Sequence, residues 1–358
     1  MKMSKKRARM LLAAGTALIV LAGGLWYWKK ARDTARPLDI VLIQKALDDT
    51  DFWTSVYQGG ETAAEEYNVN LTVMGPKNER EVDTQNQMIL DAIASKPDAI
   101  VLCPSSTDQT AAYAEQIEKA GIRLVLADST MDEPMGSAVV ATDNYEAGYK
   151  LGSYMKQFVK EDSVIGIVGH VKGSSTAVGR EAGFRAGLGD AGSQVAEIVF
   201  CDSDADKAYE QTKELLKKYP DMDMIVGLNE YSAVGAARAV KALGKTDQIR
   251  MGSIDSSMEQ IQYLEAGIYE ALVIQKPFNM GYLGVETAVN AVRGRKIAKS
   301  TDSGSELITK ENMYTEENQK LLFPIAKYGF RGRLFRTAAC EIFIHVEKGA
   351  FFTTFSLI

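Results

Sequence analysis

The residues best suited to chemistry stand in short polar clusters, and the first is KALDDTDFW, residues 45–53. It sets three carboxylates (Asp48, Asp49, Asp51) beside Lys45 and the aromatic pair Phe52-Trp53. A small polar molecule needs such a set: a few placed donors and acceptors, and flat apolar surface for a ring. The same residues also suit a helix start, because Asp49, Thr50 or Asp51 can cap one.

Other clusters fail as sharper chemistry. GHVKGSST (169–176) lacks the GK[ST] ending of a phosphate-binding loop, and its glycines miss the GxGxxG spacing. DSDAD (202–206) opens like a calcium loop, yet Lys207 stands where that loop needs glycine and Lys213 where it needs glutamate. A helix cap is the better reading there. His170 and His345 are the only histidines, which nearly excludes triads and multi-histidine metal sites. Cys103, Cys201 and Cys340 are odd in number and widely spaced, with no CxxC. No GxSxG elbow occurs. No catalytic residue, metal or cofactor is expected.

The elements that must position these clusters alternate along the chain. Strand patterns fall at 39–45, 69–74, 98–102, 122–127, 137–141, 163–168, 194–200, 223–227, 249–254 and 269–275. Amphipathic helical patterns lie between most of them, at 53–67, 79–95, 108–120, 144–160, 176–190, 206–219 and 231–243. IVLI (40–43) and VIGIV (164–168) are unbroken apolar runs, as in parallel strands buried on both faces. Repeated βα units imply doubly wound α/β sheets, and the order starting at 39 recurs from 163, which suggests two similar halves. Ligands of such sheets sit beyond the strands' carboxyl ends. Those ends carry Lys45, Asp128, Ser129, Asn229, Asp255 and Gln275. Asp, Asn and Ser after strands are also common helix caps; as a group converging on one cleft these residues read as a binding site.

Composition allows this. A chain of 358 residues can bury two cores. A net charge of −6 speaks against nucleic acid as partner. Before the first strand, Lys2, Lys5, Lys6, Arg7 and Arg9 precede an apolar run from Met10 to Trp28, closed by Trp26-Tyr27-Trp28 and Lys29-Lys30. Those 19 residues make roughly 28 Å of helix, about the thickness of a hydrocarbon core. An uncleaved signal-anchor helix is expected over 1–37 including its linker, with residues 38 onward outside the cytoplasm.

The chain resembles the periplasmic-binding-protein type I family, specifically the ribose-like solute-binding proteins of ABC sugar importers. The resemblance runs from about 38 to 325. Its marks are the DFW block, PDAIVLCPSSTDQT (97–110), RLVLADS (123–129), ATDNYEAGYKLG (141–152), GREAGF (179–184), IVGLNEYSAVGAARAV (225–240), GSIDSS (252–257) and VIQKPFNMGYLGVETA (273–288).

The resemblance implies two Rossmann-like lobes, 38–142 plus 277–302 and 143–276 plus 303–325, joined by crossovers near 142–144, 275–278 and 302–304. It implies a sugar or sugar-like ligand in a closing interlobe cleft. Phe52 and Trp53 would stack on the sugar ring. Asp128, Asn229, Asp255 and Gln275 would be polar ligand residues, with Lys45 and Asp49 near the first-loop polar position. Ser129 and Val178 stand where sugar binders often carry arginine, and Arg180 matches a neighbouring arginine of structural role. The implied partner is an ABC permease, or a membrane histidine kinase if the protein is a sensor, and the protein is expected to be a monomer. A transcription regulator of this fold would need a DNA-binding segment before residue 38, and an enzyme would need a nucleophile and base. Residues 326–358, holding six of the twelve phenylalanines, form an atypical tail.

Overall fold

The computed structural model describes residues 36–48 and 50–323. The expected signal-anchor helix, Asp49 and the tail 326–358 lie outside the described residues. Among the described residues, no helix is long and apolar enough to cross a membrane.

Two six-stranded sheets form the frame. The first contains β1 (Leu38–Ile43), β2 (Val69–Met74), β3 (Ala99–Leu102), β4 (Arg123–Ala127), β5 (Ala138–Ala141) and β11 (Ser300–Asp302). Its order is β11-β5-β4-β3-β1-β2, and every pairing is parallel. The second contains β6 (Ile165–Gly169), β7 (Val195–Phe200), β8 (Met224–Gly227), β9 (Arg250–Ile254), β10 (Tyr269–Gln275) and β12 (Ser305–Thr309). Its order is β12-β10-β9-β8-β6-β7, with only β12 antiparallel. Central strands β3, β6 and β8 are buried throughout, which is why they read as unbroken apolar runs. Alternate residues serve opposite faces: Ile40 and Leu42 pack in one core of the first lobe, Val41 and Ile43 in the other. Ile167 and Val168 divide between the two cores of the second lobe in the same way.

The helices are α1 (Asp51–Tyr67), α2 (Val82–Ala94), α3 (Ala111–Lys119), α4 (Asn144–Met155), α5 (Ser175–Leu188), α6 (Ala205–Lys218), α7 (Glu230–Ala242), α8 (Met258–Glu265), α9 (Pro277–Val292) and α10 (Glu316–Leu322). Two departures from the sequence patterns bear on the site. α1 begins at Asp51, two residues before its pattern, so Phe52 joins Trp53 in its first turn. α2 begins three residues later than its pattern, leaving Glu79 in the preceding loop. Asp204 caps α6 by accepting from Asp206 N and Lys207 N, as the cap reading of DSDAD required.

The chain passes between the sheets after β5, β10 and β11. The helices entered at the first two passages, α4 and α9, pack through glycine on the helix that follows the first strand of their new lobe, α5 and α1. A Cβ at Gly281 would fall 2.0 Å from Val56 O, and one at Gly183 would fall 1.9 Å from Tyr145 O. Any side chain there would force the α1–α9 or α4–α5 pair apart. The passages are tied to each other: Ser303 N donates to Ala141 O (2.9 Å), and the Thr142 and Ser303 hydroxyls lie 3.1 Å apart.

Candidate functional site

The carboxyl ends of the two sheets face each other across a narrow cleft. Lys45, Phe52, Trp53, Asp128, Asn229, Asp255 and Gln275, all expected from the sequence, line it together. Ser129 sits behind the wall, buried, with its Oγ 2.5 Å from Lys45 Nζ.

Val178 does not belong to the cavity: it is 55% exposed on α5. Helix geometry supplies the reason. Thr176 and Arg180 are four residues apart and share the face turned to the cleft, whereas Val178, two from each, is turned away.

The aspartates of the two lobes are held alike. Asp128 follows β4 and Asp255 follows β9, with φ of 62° and 77°. Such left-handed backbone is tolerated by aspartate better than by most residues. Each N–H donates at 3.0 Å to the adjacent strand, Asp128 to Val140 O and Asp255 to Val273 O. This anchors the strand end while the carboxylate lines the cleft.

Their partners differ. Lys45 Nζ lies 2.6 Å from Asp128 Oδ2, and both side chains are almost fully buried. Burial works against the ammonium, but Asp128 and, further off, Glu79 outweigh it and raise the Lys45 pKa. Asp255 instead accepts from Gln275 Nε2 (2.6 Å) and Glu230 N (2.9 Å). Its cation, Arg180, is 4.0 Å away and donates to Leu228 O (2.7 Å) and Asn144 Oδ1 (2.8 Å). Asn229 caps α7 through Oδ1, which accepts from Ser232 N (3.0 Å), so its Nδ2 is the group it can offer a ligand.

Sequence reasoning missed Thr50, Glu79, His170, Thr176, Arg180, Glu230 and Tyr231 as lining residues. His170, Glu230 and Tyr231 stand in loops after strands, which was the available signal. Burial, reinforced by Arg180 and Lys45, drives the His170 pKa well down and keeps the ring neutral. Its Nε2 is 2.8 Å from Thr176 Oγ1, while Nδ1 is buried with no partner. Gln275 Oε1 is likewise buried and unpartnered. Burial, then Asp255, Asp51, Asp48 and Glu79, pushes the Glu230 carboxyl up to about 8. Glu79, also raised by burial, accepts from Trp53 Nε1 (3.1 Å).

Several bonds join the lobes around this cavity. Ser203 Oγ donates to Glu79 Oε2 (2.6 Å), Arg80 pairs with Asp204 (3.0 Å), and Thr130 N donates to Ser175 Oγ (3.1 Å). At the mouth near α1, Tyr231 OH donates to Asp48, and Met258 N donates to Asp51 Oδ2 (3.2 Å). The lobes are thus closed over the cleft.

Residues 40–296 match the family described as periplasmic binding protein domain. Among solved structures, a sugar transporter from Clostridium phytofermentans is 44% identical, with a TM-score of 0.73 over 76% of this chain and 99% of its own. An ABC transporter solute-binding protein from Agrobacterium vitis, solved with bound D-fucose, is 30% identical, with a TM-score of 0.74 over 78% of this chain and 98% of its own. The D-ribose/D-allose-binding protein of Pseudomonas aeruginosa is 24% identical over 82% of this chain and 94% of its length. The two-lobed fold and these matches bear out the resemblance: the chain belongs to the periplasmic binding protein family, in its type I form, a family of binding proteins rather than enzymes.

Proposed function

We propose that this is an extracytoplasmic substrate-binding protein that captures a sugar or sugar-like molecule between its lobes and delivers it to an ABC permease. The observation that carries the reading is a pair of orphaned atoms. His170 Nδ1 and Gln275 Oε1 are buried without partners in a cleft walled by Phe52 and Trp53. A buried polar group left unpaired costs about 1–3 kcal/mol. A ring with hydroxyls on its edge and apolar C–H faces meets both needs. Phe52 and Trp53 pack edge to face, 4.9 Å apart at 89°, so they offer two walls at right angles rather than one parallel stack. The sugars named with the relatives, D-ribose, D-allose and D-fucose, are the first to try.

The basic-then-apolar start of the chain supports tethering at the outer face of the membrane. A mature protein beginning near residue 25 in the soluble fraction would contradict the tether. The binding reading is tested by a thermal-shift screen against those sugars and polyols. Ligand at a hundredfold excess over Kd stabilises by about 2.7 kcal/mol. A folded protein whose melting no sugar shifts would refute the substrate class.

A further inference from the structure

The charges around the cleft do not balance. Its two cations are already engaged: Lys45 with Asp128, and Arg180 with Leu228 O and Asn144, 4.0 Å from Asp255. Two further carboxyls, Glu79 and Glu230, line the same space with no lysine or arginine hydrogen-bonded to them among the described residues. Glu79 has neutral donors, Trp53 Nε1 and Ser203 Oγ. No described residue donates to the Glu230 side chain.

The orphaned atoms point to the same kind of ligand. Gln275 is 6% exposed and His170 4% exposed. Gln275 Oε1 is an acceptor, and His170 Nδ1 accepts in the tautomer whose Nε2–H donates to Thr176. Acceptors in surplus call for a ligand rich in donors.

Resting on the sugar-binding reading above, we propose that the cleft is charge-selective, favouring a sugar that carries an ammonium group over its neutral parent and rejecting sugar acids, with Glu230 as the ammonium's partner. Four carboxylates face Glu230: Asp255 beyond β9, Asp48 and Asp51 at the head of α1, and Glu79 after β2. The cations nearby, Arg180 on α5 and Lys45 after β1, are held by their own partners, and His170 is neutral. With its carboxyl at about 8, Glu230 holds a proton at pH 7, which an incoming ammonium displaces. A sugar carboxylate meets instead the four surrounding carboxylates, with both nearby cations already held by partners of their own.

The test is titration calorimetry of the full-length protein at pH 7, with D-glucose, D-glucosamine and D-glucuronate and their galacto counterparts, each in two buffers of different ionisation enthalpy. In at least one set the amine is expected to bind roughly tenfold or more tighter than its neutral parent, the range of one charge-assisted hydrogen bond. The acid is expected to bind at least as much weaker, and amine binding to release protons. Glu230→Gln is expected to bring the amine-to-neutral ratio near one and to abolish the release, while Glu79→Gln retains the release. An acid that binds as tightly as its neutral parent overturns the proposal. So does amine binding without proton release in the wild type, a measurement that needs no variant to fold. A preference that survives in folded Glu230→Gln overturns it as well. Neutral sugars binding alone in both sets would overturn the charge selectivity and leave the sugar-binding reading standing; binding by none of these sugars would overturn the proposal, and only with no sugar shifting the melting would it overturn the sugar-binding reading as well.

Discussion

Asp128 in the first lobe and Asp255 in the second are each the first residue beyond the fourth strand of their sheet, with the same left-handed backbone and the same bond to the neighbouring strand. Around them the lobes diverge. Asp128 is in a buried ion pair with Lys45, whereas Asp255 is held by an amide, a backbone N–H and a more distant arginine, with Glu230 crowding it. The repeated fold fixes where each carboxylate stands. The loop residues brought in from elsewhere decide whether it is neutralised by the protein or left for a ligand.

Breaking the first arrangement should damage the fold most. Lys45→Met strands a buried carboxylate, and removing one partner of a buried pair costs about 3–5 kcal/mol. Urea denaturation of the unliganded protein should show a loss of that size; a loss below about 1 kcal/mol would mean Asp128 is not dependent on Lys45. Breaking the second should damage binding more than folding. Gln275→Leu removes both the donor to Asp255 and the orphaned acceptor, and should weaken sugar binding by roughly 10- to 100-fold while melting changes little.

The pH dependence of stability sharpens the contrast. Glu230 sits at about 8 when folded, against about 4.3 for an unfolded chain. Between those values the folded state binds more protons, so the stability tied to Glu230 is intact below the unfolded value and is lost as pH rises through about 8. Glu230→Gln should therefore gain on the wild type between pH 5 and pH 9, by on the order of 2 kcal/mol once partial solvent contact is allowed for. A difference in melting temperature that stays flat across that range would contradict the crowding. The smallest effect belongs to the exposed clasp between the lobes. Arg80, half exposed in its pair with Asp204, should cost under about 1 kcal/mol when changed to alanine.

What was legible in the sequence follows from what is local. The βα alternation, the buried parallel strands and the residues just beyond the strands are set by short-range patterns, so Lys45, Phe52, Trp53, Asp128, Asn229, Asp255 and Gln275 could be picked out. β11 and β12 could not: at three and five residues, STD and SELIT carry little apolar pattern and owe their place to pairing with β5 and β10. Glu79 was hidden because the amphipathic pattern ran through it, placing it on a helix rather than in the loop that turns into the cleft. Val178 was misplaced because a matched position says nothing about which face of a helix it occupies; Thr176 and Arg180 hold the inward face. His170 and Glu230 gain their roles from groups on other elements, which no window of sequence contains.

The central claim is that the interlobe cleft holds the ligand. Its most direct measurement is titration calorimetry of the wild type and Asp255→Asn with the sugar that gives the largest thermal shift. Asparagine keeps the size and tolerates the left-handed backbone, so the change removes the charge and little else. One site per chain is expected in the wild type, with affinity falling at least about tenfold in the variant. Equal affinity in a folded variant would place the ligand elsewhere.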